Sequence, residues 1–144
     1  MASPIEALEK ALYTKLNTDT GAGGVKTLAN WVGPEYAPSD ASYPLVTFAL
    51  IEPDRTNMLS ARGWERFVHR FTAYTAQSAE GATDKALAQA IIARVITLLD
   101  RVALTVSGYT HIATLAERPY AERVNAFGGK VYVGVSVDMV SWIQ

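Results

Sequence analysis

The chain has 144 residues, 49% of them hydrophobic, which is the size and composition of one domain with a core of its own. It holds no cysteine, and this excludes disulfide frameworks, thiolate metal sites and cysteine nucleophiles. Thirteen basic against fourteen acidic residues leave a net charge of −1, so no basic field exists to grip a nucleic-acid backbone.

At the start, Met1-Ala2-Ser3-Pro4 has no basic segment leading into an apolar run, and position 2 is not the glycine that myristoylation needs. We therefore expect neither an export signal nor a lipid anchor. Ser3-Pro4-Ile5-Glu6 supplies a capping hydroxyl, a proline at the first helical position and a glutamate three residues after the serine. A helix is expected from there to Leu16, with Ile5, Leu8, Leu12 and Leu16 in one narrow apolar stripe.

From Asn17 to Tyr43 the chain is rich in glycine, proline and aspartate, and only Val25 to Val32 has the makings of a short strand or turn. Pro44 to Glu52 then reads as a buried strand on its run of strand formers, Leu45 to Ile51. Arg66 to Thr75 alternates, setting Phe67, His69, Phe71 and Ala73 on one face and Arg66, Val68, Arg70, Thr72 and Tyr74 on a partly wet one. Between these strands Asp54 to Gly63 is long for a hairpin turn and reads as a projecting loop.

Ser78 can cap a helix over Gly81 to Arg101, whose apolar face centres on Leu87, Ile91, Val95, Leu98 and Val102. Its back carries Ala86, Ala90 and Ala93 where a monomer normally has charge, which permits close contact with another helix. The longest apolar stretch, Ala86 to Leu99, is broken by Gln89 and Arg94 and falls short of the roughly 20 residues that span a bilayer, so no membrane span is expected.

Tyr109 to Glu117 and Lys130 to Trp142 complete the strands, the latter with Val131, Val133, Val135, Val137 and Met139 at period two. The opposite face of that strand, Tyr132, Gly134, Ser136, Asp138 and Val140, is mixed and must meet water, a loop or a partner. Arg118 to Gly129 reads as a second long connector. The resulting layout is a single α+β domain over residues 1–144, a mainly antiparallel four-stranded sheet with two helices packed on one face and long loops.

Motifs that carry chemistry are near misses. Gly21-Ala22-Gly23-Gly24-Val25-Lys26-Thr27 resembles a phosphate loop, but valine stands before the Lys-Thr pair and no strand precedes it, so a flexible turn is expected. Gly134-Val135-Ser136-Val137-Asp138 approaches a nucleophile elbow but lacks the second glycine and lies inside a strand, leaving Ser136 as a surface residue. His69 and His111 have no histidine or carboxylate at metal-ligand spacing and read as half-buried strand residues that hydrogen-bond locally. Glu117 with Glu122, and Glu52 with Asp54, stand beside Arg118, Arg123 and Arg55, as solvated ion pairs. We expect no catalytic residue, no metal and no cofactor.

The order of these pieces resembles the tail terminator family of long-tailed phages, prophages and gene transfer agents, also called tail completion or lambda-type minor tail proteins. The resemblance is carried by the opening helix and by Ala37-Pro38 followed by Tyr43-Pro44-Leu45-Val46-Thr47-Phe48. It continues through His69-Arg70-Phe71-Thr72-Ala73-Tyr74, Ser78-Ala79-Glu80-Gly81, and Arg118 to Val124 leading into Gly129-Lys130-Val131-Tyr132-Val133. It implies a structural protein of the virion, a hexameric ring assembled in the host cytoplasm that caps the tail tube and ends its polymerisation. Such a ring binds the tail tube protein and a head-tail connector or neck protein, and passes DNA without specific binding. The residues expected to touch neighbouring subunits or the tube are Met58, Leu59, Arg62 and Trp64 from the first loop, and Tyr120, Arg123 and Phe127 from the second. Alternatives are another neck or head-completion protein, and a small α+β enzyme or ligand-binding domain.

Overall fold

Helix α1, Pro4–Asn17, begins where Ser3 takes an extended backbone (φ −64, ψ 156) and its hydroxyl accepts the Glu6 N–H at 3.2 Å. The computed structural model describes residues 3–34, 42–55, 64–76, 82–125 and 131–144. Ala7, Leu8, Leu12 and Leu16 of α1 are buried, and Ile5 packs at the rim of the same cluster. The expected stripe therefore holds, because one helical face is all that a sheet can cover.

The glycine-rich stretch is more ordered than its composition suggests. Val25–Leu28 forms a single helical turn, α2, and Trp31–Pro34 a short strand, β1. Asn30 fastens β1 beside the next strand, donating its backbone N–H to the Pro44 carbonyl and its side-chain amide to that of Tyr43, both at 2.7 Å.

The remaining elements are β2 (Leu45–Arg55), β3 (Glu65–Ala76), α3 (Ala82–Leu99), β4 (His111–Ala116), β5 (Tyr120–Asn125) and β6 (Val131–Ile143). The sheet runs β1-β2-β3-β6-β4, with β5 also on β6. All pairings are antiparallel except β1 with β2. The α+β class is as expected, but the four expected strands become six.

The largest correction concerns the expected connector Arg118 to Gly129. Its first part is strand β5, and β4 and β5 lie end to end along the same side of β6, from His111 opposite Ile143 to Asn125 opposite Val131. They are two halves of one edge strand, interrupted at residues 117–119. There Glu117 still donates to the Asp138 carbonyl at 2.9 Å, and Pro119 occupies an edge, where a missing N–H is tolerated.

Register also fixes where the chain reverses. Arg55 faces Glu65, which faces Ile143, while Asn125 faces Val131 beside the Tyr132–Ala76 pair. The β2–β3 and β5–β6 hairpins thus reverse at opposite ends of the sheet.

Both long helices pack on one sheet face. Leu8, Leu12 and Leu16 of α1 and Ile91, Ile92, Val95 and Leu99 of α3 join Val46, Phe48, Phe71, Val137 and Met139 in one buried cluster, with the Phe48 and Phe71 rings stacked at 5.2 Å. Helix α3 stops at Leu99, earlier than Arg101, because Arg101 adopts a left-handed backbone (φ 58) and gives its N–H to the Thr114 carbonyl at 2.7 Å. The Asp100 carboxylate accepts the Ala116 N–H at 2.8 Å and locks that corner to β4. No helix among the described residues is long and apolar enough to cross a membrane.

Candidate interaction surface

The phosphate-loop look-alike is already filled by the protein's own groups. Asp19 Oδ2 accepts the Val25 N–H at 2.8 Å, at the start of α2 where an anion would sit. Thr27 donates its hydroxyl to the carbonyls of Gly21 (2.8 Å) and Thr20 (3.0 Å). A Cβ on Gly24 would overlap the Asp19 carbonyl oxygen, so the tight turn requires glycine. Arg94 of α3 clamps the same carboxylate with two contacts of 2.9 Å, and these hydrogen bonds hold the Asp19 carboxyl below its ordinary range. The expected flexible turn is instead a laced one.

His69 is fully buried on the core face of β3, rather than half-buried, because α1 covers it. Its Nε2 lies 3.2 Å from Glu9 Oε1, and its Nδ1 has no hydrogen-bond partner among the described residues. His111 is half-buried as expected and heads a relay. The Leu104 N–H donates to Nδ1 at 3.2 Å, which leaves Nε2–H to donate to the Thr114 hydroxyl at 2.8 Å, itself 2.9 Å from Ser141. Burial holds the His111 pKa below its ordinary value. Thr114 and Ser141 have no exposed surface, and this chain of donors ties the residues after α3 to the sheet. Among the described residues no group of three or more His, Cys, Asp or Glu is placed to hold a metal ion.

Ser136 is not the surface residue its position suggests. It is buried and 2.8 Å from Thr72, because the Tyr74 ring leans across the neighbouring Gly134, where a Cβ would come within 3.3 Å of it. Beside this pair Arg70 grips Asp138 through two contacts of 2.9 and 3.2 Å and lies 5.5 Å from the centre of the Tyr120 ring. Tyr120, expected to reach a neighbour, is thus engaged within its own chain. Glu52 pairs across the sheet with Arg66 at 3.8 Å.

These charged pairs frame an apolar band. Register places Val68, Val140 and Leu115 in one cross-strand row on the face of the sheet opposite the helices. Ile51 lies in the β2 bulge at the end of that row, and Trp142 stands two residues beyond Val140 along β6. Ile51 and Leu115 are exposed at 42% and 37%, and Trp64, where the chain enters β3, at 44%. No helix covers this face among the described residues, yet Val68 and Val140 in the middle of the row are buried, so its exposed apolar surface is confined to Ile51, Leu115 and Trp64.

A second surface lies on the helix side. Gln89, Ala93 and Ile96 of α3, with Pro119, Tyr120 and Ala121 at the start of β5, line a groove of 180 Å³. Ala86, Ala90 and Ala93 are exposed, so the uncharged back of α3 faces outward as its sequence implies.

Of the residues expected to make contacts, Met58, Leu59, Arg62 and Phe127 lie outside the described residues, and only the backbone of Arg123 is described, opposite Val133. Trp64 is exposed at the edge of the apolar band. Ile51, Leu115 and Trp142 were not singled out by pattern. The signal that could have found them is the mixed second face of β6, which becomes a surface only when its neighbours across the sheet are known.

No protein-family model and no curated protein matches the chain. It shares its fold with a chain in a solved structure described as "Virion of native gene transfer agent (GTA) particle", at a TM-score of 0.62 and 21% sequence identity, covering 99% of each chain.

Proposed function

We propose that this protein is a structural subunit of a phage-type particle that works through its surfaces and not by catalysis, and that it caps the tail tube as a ring at the head-tail junction. The observation that carries this reading is the end-to-end likeness of fold to a chain of a gene transfer agent virion. A ring needs two different patches per subunit that fit head to tail. The exposed apolar side chains Ile51, Leu115 and Trp64 and the α3–β5 groove are the candidates for two such patches, and chain reversals at opposite sheet ends suit a subunit that meets a tube on one side and a head connector on the other. A near-neutral chain is compatible with a channel that passes DNA without holding it.

The test is to mix the purified chain with purified tail tube protein and measure tube lengths by negative-stain microscopy. Tubes that stop growing, with extra density at one end, are expected. Unchanged tube lengths overturn the tail-terminating role, and binding to a head connector in their place moves the protein to the neck of the particle.

A further inference from the structure

We infer that the groove between α1 and the chain following α3 docks a short, extended, acidic segment of another protein, held by strand-like pairing to the backbone of Ala103 and Thr105 and by the charges of Lys10 and Lys15. The inference goes beyond the ring reading above and does not rest on it. The groove has a volume of 520 Å³, inside the range of roughly 300–1,000 Å³ of ordinary ligand pockets. One wall is a stripe of α1 from Glu6 to Thr18, and the other is built from Ala103, Leu104, Thr105 and Ser107. The α1 wall is about 18 Å long, which matches about five residues of extended chain.

The second wall has the character of a strand edge. Val102, Leu104 and Val106 are half-buried or buried while Ala103, Thr105 and Ser107 are exposed, the period-two burial of an extended chain. The Leu104 N–H donates to His111 Nδ1 and the Tyr109 N–H to the Val106 carbonyl, so this wall is fixed before any partner arrives. Successive N–H groups of an extended chain point to opposite sides, and those of Ala103 and Thr105, on the side away from His111, have no hydrogen-bond partner among the described residues. A free strand edge takes up an extended peptide through backbone bonds, and alternate side chains then set specificity. On α1, the small side chains of Ala7 and Ala11 leave room for the residues that face inward. Lys10 and Lys15 form no salt bridge among the described residues; Asp19 lies within electrostatic reach of Lys15 but is already gripped by Arg94. Glu6 is the one carboxylate among the described residues lining the groove, so two cations face one anion and the charge favours an acidic occupant.

The experiment is fluorescence anisotropy of a labelled peptide of alternating valine and aspartate, about five residues long, titrated with the full chain at low salt. Saturable binding with a Kd below about 1 mM is expected. The same peptide with lysine in place of aspartate should bind about tenfold more weakly, and a fully N-methylated form, which cannot donate backbone hydrogen bonds, about fivefold more weakly. Thr105→Pro removes one free N–H at an exposed position and should also weaken binding about fivefold, while Thr105→Ala, which keeps that N–H, should stay within about twofold of the wild type. Lys10→Glu should weaken binding of the aspartate peptide and strengthen that of the lysine peptide. Thermal unfolding like the wild type confirms that each variant folds, and if Thr105→Pro does not, the N-methylated peptide makes the same test from the other side. Absence of saturable binding up to about 1 mM overturns the inference, as does equal binding of the aspartate and lysine peptides. Undiminished binding of the N-methylated peptide overturns it by removing the strand pairing. Equal binding of a single-stranded oligothymidylate of the same charge overturns it as well, and marks a general anion patch.

Discussion

Arg94 and Asp19 meet through two parallel N–H···O contacts, Nε to Oδ2 and Nη2 to Oδ1, each 2.9 Å, although 75 positions separate them in the chain. Because Oδ2 also takes the Val25 N–H, one carboxylate joins the end of α1, the start of α2 and the middle of α3.

Asp19→Ala is expected to lower unfolding stability by about 1–3 kcal/mol, the range for a charged hydrogen bond whose buried partner is left unmet, reduced by the partial exposure of Arg94. The folded carboxyl titrates below its ordinary 3.8, so its contribution is complete above that value and is lost as pH falls through the lower folded value. Urea unfolding of wild type and variant on an acid series should show the two stabilities converging at low pH.

His111 has the opposite charge type but the same direction. Burial depresses its pKa, so between the folded value and the ordinary 6.5 the unfolded chain binds a proton that the folded chain refuses. Stability is therefore full above 6.5 and declines as pH falls through that window, with a slope of at most about 1.4 kcal/mol per pH unit. His111→Gln should remove this part of the pH dependence. An unchanged slope would assign the effect to another group.

Phe71 and Trp64 separate folding from association. Phe71 has no exposed surface and stacks on Phe48, so Phe71→Ala should cost about 3–5 kcal/mol and abolish assembly through loss of the fold. Trp64→Ala, at an exposed position, should change unfolding stability by about 0.5 kcal/mol or less while reducing association. Equal thermal losses in the two variants would place Trp64 in the core.

The α+β class, both long helices and four of the strands were legible because each carries a periodicity that local chemistry imposes. The capping serine, the α1 stripe and the alternation from Val131 to Met139 read directly into structure. What escaped was decided at a distance. Val25 begins a helical turn because Asp19 receives its N–H, and no window around Val25 shows that. Tyr120–Asn125 is a strand because β6 has a vacant edge, despite Pro119 before it and the glycine pair after it. The apolar cross-strand row exists only once Val68, Val140 and Leu115 are brought together from three strands, so no linear pattern announces it.

Strand β6, which pairs with β3 on one side and with β4 and β5 on the other, also behaves as a ruler. β6 runs unbroken for 13 residues, which at the usual rise of a strand is roughly 40 Å. The β2–β3 and β5–β6 reversals lie at its two ends, so their separation is set by covalent geometry and not by side-chain packing. Inserting residues within β6 would shift the register of three strand pairings at once.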